Sequence, residues 1–376
     1  MKTTLLVALM ACLGAMSEAA AVEVTVGGRL HLDYARYNAD VRQLDNGMLL
    51  RRARLDMDGK LTSDWSFELA YDFANVYALT NTGTVKDGDF KEGFTDIALH
   101  YDGWKQADLN VGQTKVPFGL EELNSSNAIS FIERALSTDA FAPSRRLGAE
   151  VSRNRDHYSV SVMGFGSSFD GRERGRGLAA RATVTPIYAG GGNTVLHLGI
   201  AAVVERPTGE VKFTARPESR ALDVRFLNTG DLVDVTHVGR LGLEAAVKSG
   251  PLSLQAEWMQ TAIKRKGIGT DATLEGWYVM GSWVLTGESR QYSSGRFKGV
   301  PVQRPGGAWE VTARYSHLDL DNANVRGGEE DNLTLGVNYY ASKHLRIMLN
   351  YIDVHSERRG KADSPQILLM RAQLAF

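Results

Sequence analysis

The last eleven residues, QILLMRAQLAF, alternate strictly: Leu368, Met370, Ala372, Leu374 and Phe376 fall on one side of a strand, and Leu369, Arg371, Gln373 and Ala375 on the other. A period of two places one side of such a strand in an apolar medium and the other in a mixed or wet one. About fifteen similar segments precede it, and after the N-terminus no apolar run is long enough to cross a bilayer as a helix. Strands can cross hydrocarbon only when every backbone amide is paired, which requires a closed barrel. A terminal segment that is itself a strand is tied into that sheet, and in a barrel it closes the seam.

The composition agrees once alternation is considered. With 23% charged and 43% hydrophobic residues, nine prolines and a net charge of −1, the average is that of a water-soluble protein. A barrel with a wet lumen needs apolar residues on only one side of each strand, so its mean hydropathy stays low. Near-neutrality argues against a nucleic-acid partner and means that any ion preference comes from local clustering.

Residues 1–21 read as a secretory leader: Lys2 begins it, an apolar run follows to Met16, and Ala19, Ala20 and Ala21 form a small-residue exit. The barrel domain is then expected over 22–376. Cys12, the only cysteine, lies inside the leader, where 9–12 also resemble a lipoprotein cleavage box and leave a lipid-anchored form as an alternative. A mature chain without thiols has no disulfide, thiolate metal site or cysteine nucleophile.

Period-two segments occur at 24–34, 53–61, 65–73, 95–101, 107–113, 147–153, 158–165, 178–184, 195–203, 238–247, 252–260, 276–285, 309–316, 333–340, 345–353 and 366–376. Sixteen antiparallel strands form a transmembrane barrel of the size that leaves an aqueous channel. Tight turns at 62–64, 102–106, 154–157, 248–251 and 341–344 belong on the periplasmic side. Longer stretches at 74–94, 115–146, 205–237, 262–275 and 355–365 belong outside or folded into the lumen. The connection at 286–307 is long where a periplasmic turn is due, so either that turn is elaborated or the count is off by one.

Several motifs carry a family resemblance: Arg51-Arg52-Ala-Arg54-Leu, the run VGQTKVPFGLEEL at 111–123, Phe131-Ile-Glu133-Arg134-Ala-Leu136, Asp139-Ala-Phe141, Arg146-Leu-Gly148 and Gly287-Glu288-Ser-Arg290-Gln-Tyr292. Over essentially the whole mature chain the sequence resembles the porin O and P family, phosphate-selective anion channels of the Gram-negative outer membrane. The resemblance implies a homotrimer of sixteen-stranded barrels with the third external loop folded inward as a constriction. It also implies arginines along the approach, and it supports an anion channel better than it supports one named ion.

A pore that prefers anions replaces part of their hydration with donors and positive charge, yet holds them weakly enough to let them go. Arg29, Arg52 and Arg54 lie on polar strand faces, and Arg51 belongs to the same motif. Lys115 and Arg134 bracket the expected constriction loop, and Arg216, Arg220 and Arg225, with Arg206 and Lys212, punctuate the 205–237 loop. Asp96, on the polar side of its strand, is placed to shorten an anion's stay. The bland alternative is that these cations pair with Asp33, Asp56, Asp58, Glu121, Glu122 or Glu133 and merely line a wet wall.

No cofactor or metal is expected. His31, His100, His197 and His317 lack metal spacing, no zinc-protease or EF-hand pattern occurs, and 190–192 is a turn. The expectation is a passive porin in the Gram-negative outer membrane, contacting its lipid and conducting inorganic phosphate, polyphosphate or other small anions, and not an enzyme. The alternatives are a general or sugar-tolerant porin on the same scaffold, a barrel phospholipase or protease, and an adhesin or receptor.

Overall fold

In the computed structural model, which describes residues 23–74, 77–80, 85–87, 92–221, 224–267, 269–322 and 324–376, apolar side chains are outside and charged ones inside. Along the last strand Leu368, Met370 and Leu374 are 40–46% exposed while Arg371 is fully buried. That inversion is stable only where the outer surface meets hydrocarbon.

Sixteen antiparallel strands make the wall. They are β1 Glu23–Asn38, β2 Gly47–Lys60, β3 Trp65–Asp72, β4 Gly93–Tyr101, β5 Asp108–Lys115, β6 Arg145–Asn154, β7 Tyr158–Phe165 and β8 Gly175–Ala189. The second half comprises β9 Thr194–Pro207, β10 Val235–Ser249, β11 Leu252–Arg265, β12 Ala272–Val284, β13 Ala308–Asn322, β14 Val325–Tyr340, β15 Leu345–Arg358 and β16 Gln366–Ala375. Each pairs with the next in sequence, and β16 pairs with β1 from Asn38↔Gln366 to Arg29↔Ala375, so the sheet has no free edge. Phe376 extends the seam by exchanging backbone hydrogen bonds with Gly28 at 2.9 and 3.1 Å.

The sixteen expected strands are all present, but several run farther. β13 and β14 continue to Asn322 and back from Val325, and the loops expected at 262–275 and 355–365 shrink to 266–271 and 359–365. Beyond the membrane the outward residues become polar, as at Glu275, His317 and Asp331, so the alternation fades while hydrogen-bonded pairing continues. Aromatic residues mark the short-turn end: Trp309 stacks on Tyr339 at 4.5 Å, and Trp65 lies 4.8 Å from Tyr101.

Three connections fill the lumen. Residues 116–144 carry two short helices, α1 Leu120–Leu123 and α2 Leu136–Phe141, and most of their apolar side chains are buried inside the barrel. Residues 208–221 and 224–234 also turn inward and bury Phe213, Phe226 and Leu227. The anomalous connection at 285–307 is an elaborated turn, and the strand count stands. Its small hairpin, Tyr292–Ser293 with Arg296–Phe297, packs Tyr292 and Phe297 into one cluster with Leu120 and Val195.

At the seam a Cβ on Gly28 would stand 2.7 Å from both the Arg54 carbonyl oxygen and the Phe376 ring. Gly28→Val therefore forces the terminal residue away from β1 at an overpacking cost of about 1–3 kcal/mol. The expected outcome is a smaller folded fraction by heat-modifiable gel mobility; unchanged mobility and melting would show that the contact is not needed for closure.

Candidate functional site

Two consecutive arginines begin the site. Leu32 faces Leu50 and His31 faces Arg52, leaving Arg51 without a partner on β1: a β-bulge. Strict alternation would send one of the two into lipid. The extra residue instead lets both point inward, each 7% exposed.

Arg51 clamps the loop at 116–144, its guanidinium donating to both Glu133 carboxylate oxygens at 2.7 and 3.1 Å. Arg371 on β16 reaches the same carboxylate at 2.9 Å while making a two-pronged pair with Asp33 at 2.6 and 2.7 Å. Arg220 adds a third cation at 3.4 Å. Burial alone would raise the Glu133 carboxyl, but the charges of Arg51 and Arg371 overcome it and hold the group well below the usual carboxylate range.

Other wall residues grip the loop's backbone. Glu257 accepts from the Leu120 and Glu121 amides at 2.7 Å each, Arg346 donates to the Ile129 carbonyl at 3.0 Å, and Asn350 accepts from the Ile132 amide at 2.8 Å. Arg314 ties two inward loops together, donating to Glu121 at 3.2 Å and to Glu218 at 2.5 Å. Glu218 holds a left-handed φ of 51° and also accepts from Ser316 and Thr334.

The clamped loop divides the lumen. On the long-loop side a cavity of about 130 Å³ is lined by Arg51, Arg216, Arg220, Glu133, Asp139 and Glu218 among others. On the short-turn side one of about 340 Å³ is lined by Arg29, Arg52, Arg54, Lys115, Arg145, Arg296 and Lys298 and their neighbours. Glu122 and Arg134 belong to both walls. They are paired at 3.0 Å, and Lys115 approaches Glu122 at 3.3 Å. Arg134 and Lys115 hold the Glu122 carboxyl below its usual range against burial, which raises it. Arg134 also donates from Nε to the Glu121 carbonyl and from Nη2 to the carbonyls of Glu122 and Asn124.

The two cavities differ in charge. Four basic side chains face four acidic ones in the outer cavity, whereas eight face five in the inner one. In the inner cavity Arg29 pairs with Asp56 at 2.7 Å, Arg54 with Asp72 at 3.1 Å and Asp96 with Arg145 at 2.8 Å. Among the described residues no carboxylate pairs with Arg52, Arg296 or Lys298, and Arg52 has only His31 Nδ1 at 3.4 Å.

Nine of the ten sequence candidates therefore lie on one cavity wall or the other: Arg51, Arg216 and Arg220 outside, Arg29, Arg52, Arg54, Asp96 and Lys115 inside, and Arg134 between them. Arg225 lines neither; its carbonyl accepts from Arg42, and Lys212 pairs with Asp231 at 2.6 Å on the surface. Sequence reading missed Arg296 and Lys298 because they sit on a turn with no strand period, and missed Arg145 at a strand start. Arg371 was visible as a polar-face residue of the last strand, but its partner Glu133 is 238 positions away. Neither cavity groups side chains in metal-ligand spacing; among the described residues the one such group lies elsewhere.

The model of the family described as phosphate-selective porin O and P matches residues 24–376. This chain belongs to that family. It is 26% identical over 376 aligned residues to Porin O of Pseudomonas aeruginosa, covering 89% of this chain and 83% of the relative. An anion-selective porin from Comamonas acidovorans has the same fold, with a TM-score of 0.60, 16% identity and coverage of 94% and 100%. The trimer form of OmpT from Vibrio cholerae also matches, with a TM-score of 0.56, 10% identity and coverage of 95% and 100%. The protein is an outer-membrane porin of a Gram-negative cell, and its short turns face the periplasm.

Truncating Glu133 to Ala removes the carboxylate on which Arg51, Arg371 and Arg220 converge, and breaking a buried ion pair costs about 3–5 kcal/mol. The expected outcome is a larger and noisier single-channel current; an unchanged quiet level would show that the clamp does not hold the loop. The pH dependence has a definite sign. A depressed carboxylate stabilises fully above its unfolded pKa and loses that contribution as pH falls through the lower folded value. Wild-type current should stay quiet through the ordinary glutamate range and become noisy only below it.

Proposed function

We propose that this porin conducts small anions passively, with phosphate or polyphosphate the favoured permeant, and that the inner cavity is where preference is set. The carrying observation is the cationic excess there, concentrated in Arg52, Arg296 and Lys298, which have no carboxylate partner among the described residues. Positive charge lining a confined aqueous lumen with low-dielectric walls concentrates counter-ions. An anion would pass Arg51, Arg216 and Arg220, skirt the Glu122–Arg134 pair that both cavity walls share, and reach these groups before leaving by the periplasmic mouth. The fork of a guanidinium suits an oxyanion, and the acids Glu122 and Asp96 keep the hold weak enough for exit. The name of the Comamonas relative, an anion-selective porin, favours the same reading.

A sugar-tolerant path would call for aromatic rings along the way, but among the described residues Phe297 is the only Phe, Tyr or Trp on the inner cavity wall. We further propose a homotrimer, as in the trimer form of OmpT, and a cleaved leader over residues 1–21, which lie outside the described residues.

Reversal potentials in a salt gradient test the central claim: anion preference is expected, and cation preference overturns it. A unit charge met at about 4 Å in a water-like medium contributes about 1 kcal/mol. Arg52→Ala, Arg296→Ala and Lys298→Ala should accordingly each lower the anion-to-cation permeability ratio by up to about fivefold.

Burial and the neighbouring Arg296 charge lower the Lys298 ammonium from its ordinary value. Anion preference should therefore fall as pH rises through that lowered value, and Lys298→Arg should shrink the fall because guanidinium keeps its proton. Added phosphate should block chloride current; unblocked chloride current removes the phosphate reading and leaves the anion porin standing.

A further inference from the structure

Outside the barrel, beyond the apolar band at the extracellular end of β12–β15, two rows of polar side chains cross the strands in register. Glu275, Asp319, Glu329 and Glu357 stand directly opposite one another, and in the adjacent row Trp277, His317, Asp331 and His355 do the same. Like charges directly opposite on a sheet repel. Among the described residues no lysine or arginine reaches any of these four glutamate and aspartate side chains, so the row lacks a protein counter-charge.

At its centre His317 Nδ1 lies 3.0 Å from Asp331 Oδ1 and 3.9 Å from Glu329 Oε1, and the ligand-type atoms of the three residues all fall within 4.8 Å of one another. Ligands held about 2.0–2.1 Å from one tetrahedral zinc stand roughly 3.3 Å apart. The observed separations bracket that spacing. The flanking residues set both first ligands: Tyr315 donates its hydroxyl to Asp331 Oδ1 at 2.8 Å, and the Trp277 ring lies 5.8 Å from the His317 ring at a shallow 34°. The hydroxyl shares Oδ1 with His317 and so fixes the carboxylate's orientation beside the imidazole, as hydrogen-bond partners of ligating carboxylates commonly do.

We propose that His317, Asp331 and Glu329 form a binding site for a first-row divalent transition cation of the zinc type. The imidazole selects against magnesium and calcium, which prefer all-oxygen sets. Three protein ligands leave a fourth position to water. The cation offsets part of the carboxylate row's charge and fastens β13 to β14 above the membrane. No spacing along the sequence reveals the site, because its ligands come from two strands and meet only through cross-strand register.

Zinc alone, titrated calorimetrically into the purified full-length protein in detergent micelles, tests the site. One zinc per chain is expected, with a raised melting temperature. His317→Gln and Asp331→Asn should each weaken binding at least tenfold, while His344→Gln, at the opposite end of the barrel, leaves it unchanged. All three should keep wild-type conductance, which shows that they fold. Absence of zinc uptake by the wild type, equal affinity in both site variants, or displacement of zinc by a modest excess of calcium overturns the proposal.

Discussion

In hydrocarbon an unpaired backbone amide has no water to turn to, and that single constraint shapes everything else in this molecule. It forces β16 back onto β1, and the closing pair is more than backbone. Asp33 and Arg371 face each other across the seam, and the guanidinium that binds Asp33 also binds Glu133 of the inward loop. Closure of the wall and placement of the constriction are thus coupled through one buried arginine.

The barrel uses its cations in two ways. Arg51, Arg314, Arg346 and Arg371 are buried and spend their donors on the loop at 116–144. Breaking one such buried pair is costly, which suits a loop that must stay in place without disulfides. Arg296 and Lys298 are exposed to the lumen from a periplasmic turn, where a charge acts through its field. The β-bulge at Arg51 distributes a single dipeptide between the two uses: Arg51 faces the outer cavity and the loop, Arg52 the inner cavity.

The wall could be read from the chain because alternation is local. Each segment such as 366–376 declares its own inner and outer faces, and the count of sixteen follows. Strand ends could not be read, since β13 and β14 keep pairing after their outward residues turn polar. Arg29, Arg52 and Arg54 could be placed for the same reason as the strands, since an arginine among apolar residues at period two must face the lumen; the other candidate cations rested on motif or loop position. Arg225 looked equivalent to Arg216 and Arg220 in sequence, yet a loop has no period to say which way a side chain points. Arg296 was hidden for that reason too, and the 285–307 connection betrayed itself only by its length.

By itself the sequence determined a closed sixteen-stranded barrel with a wet, arginine-bearing interior, because hydrocarbon outside and water inside impose a pattern two residues long. Tertiary structure decided which arginines hold the loop and which face the lumen with no carboxylate in ion-pair contact among the described residues. That choice depends on where Glu121, Glu133 and Glu218 arrive in space, and partners 82 to 238 residues apart meet only after the sheet has closed around them.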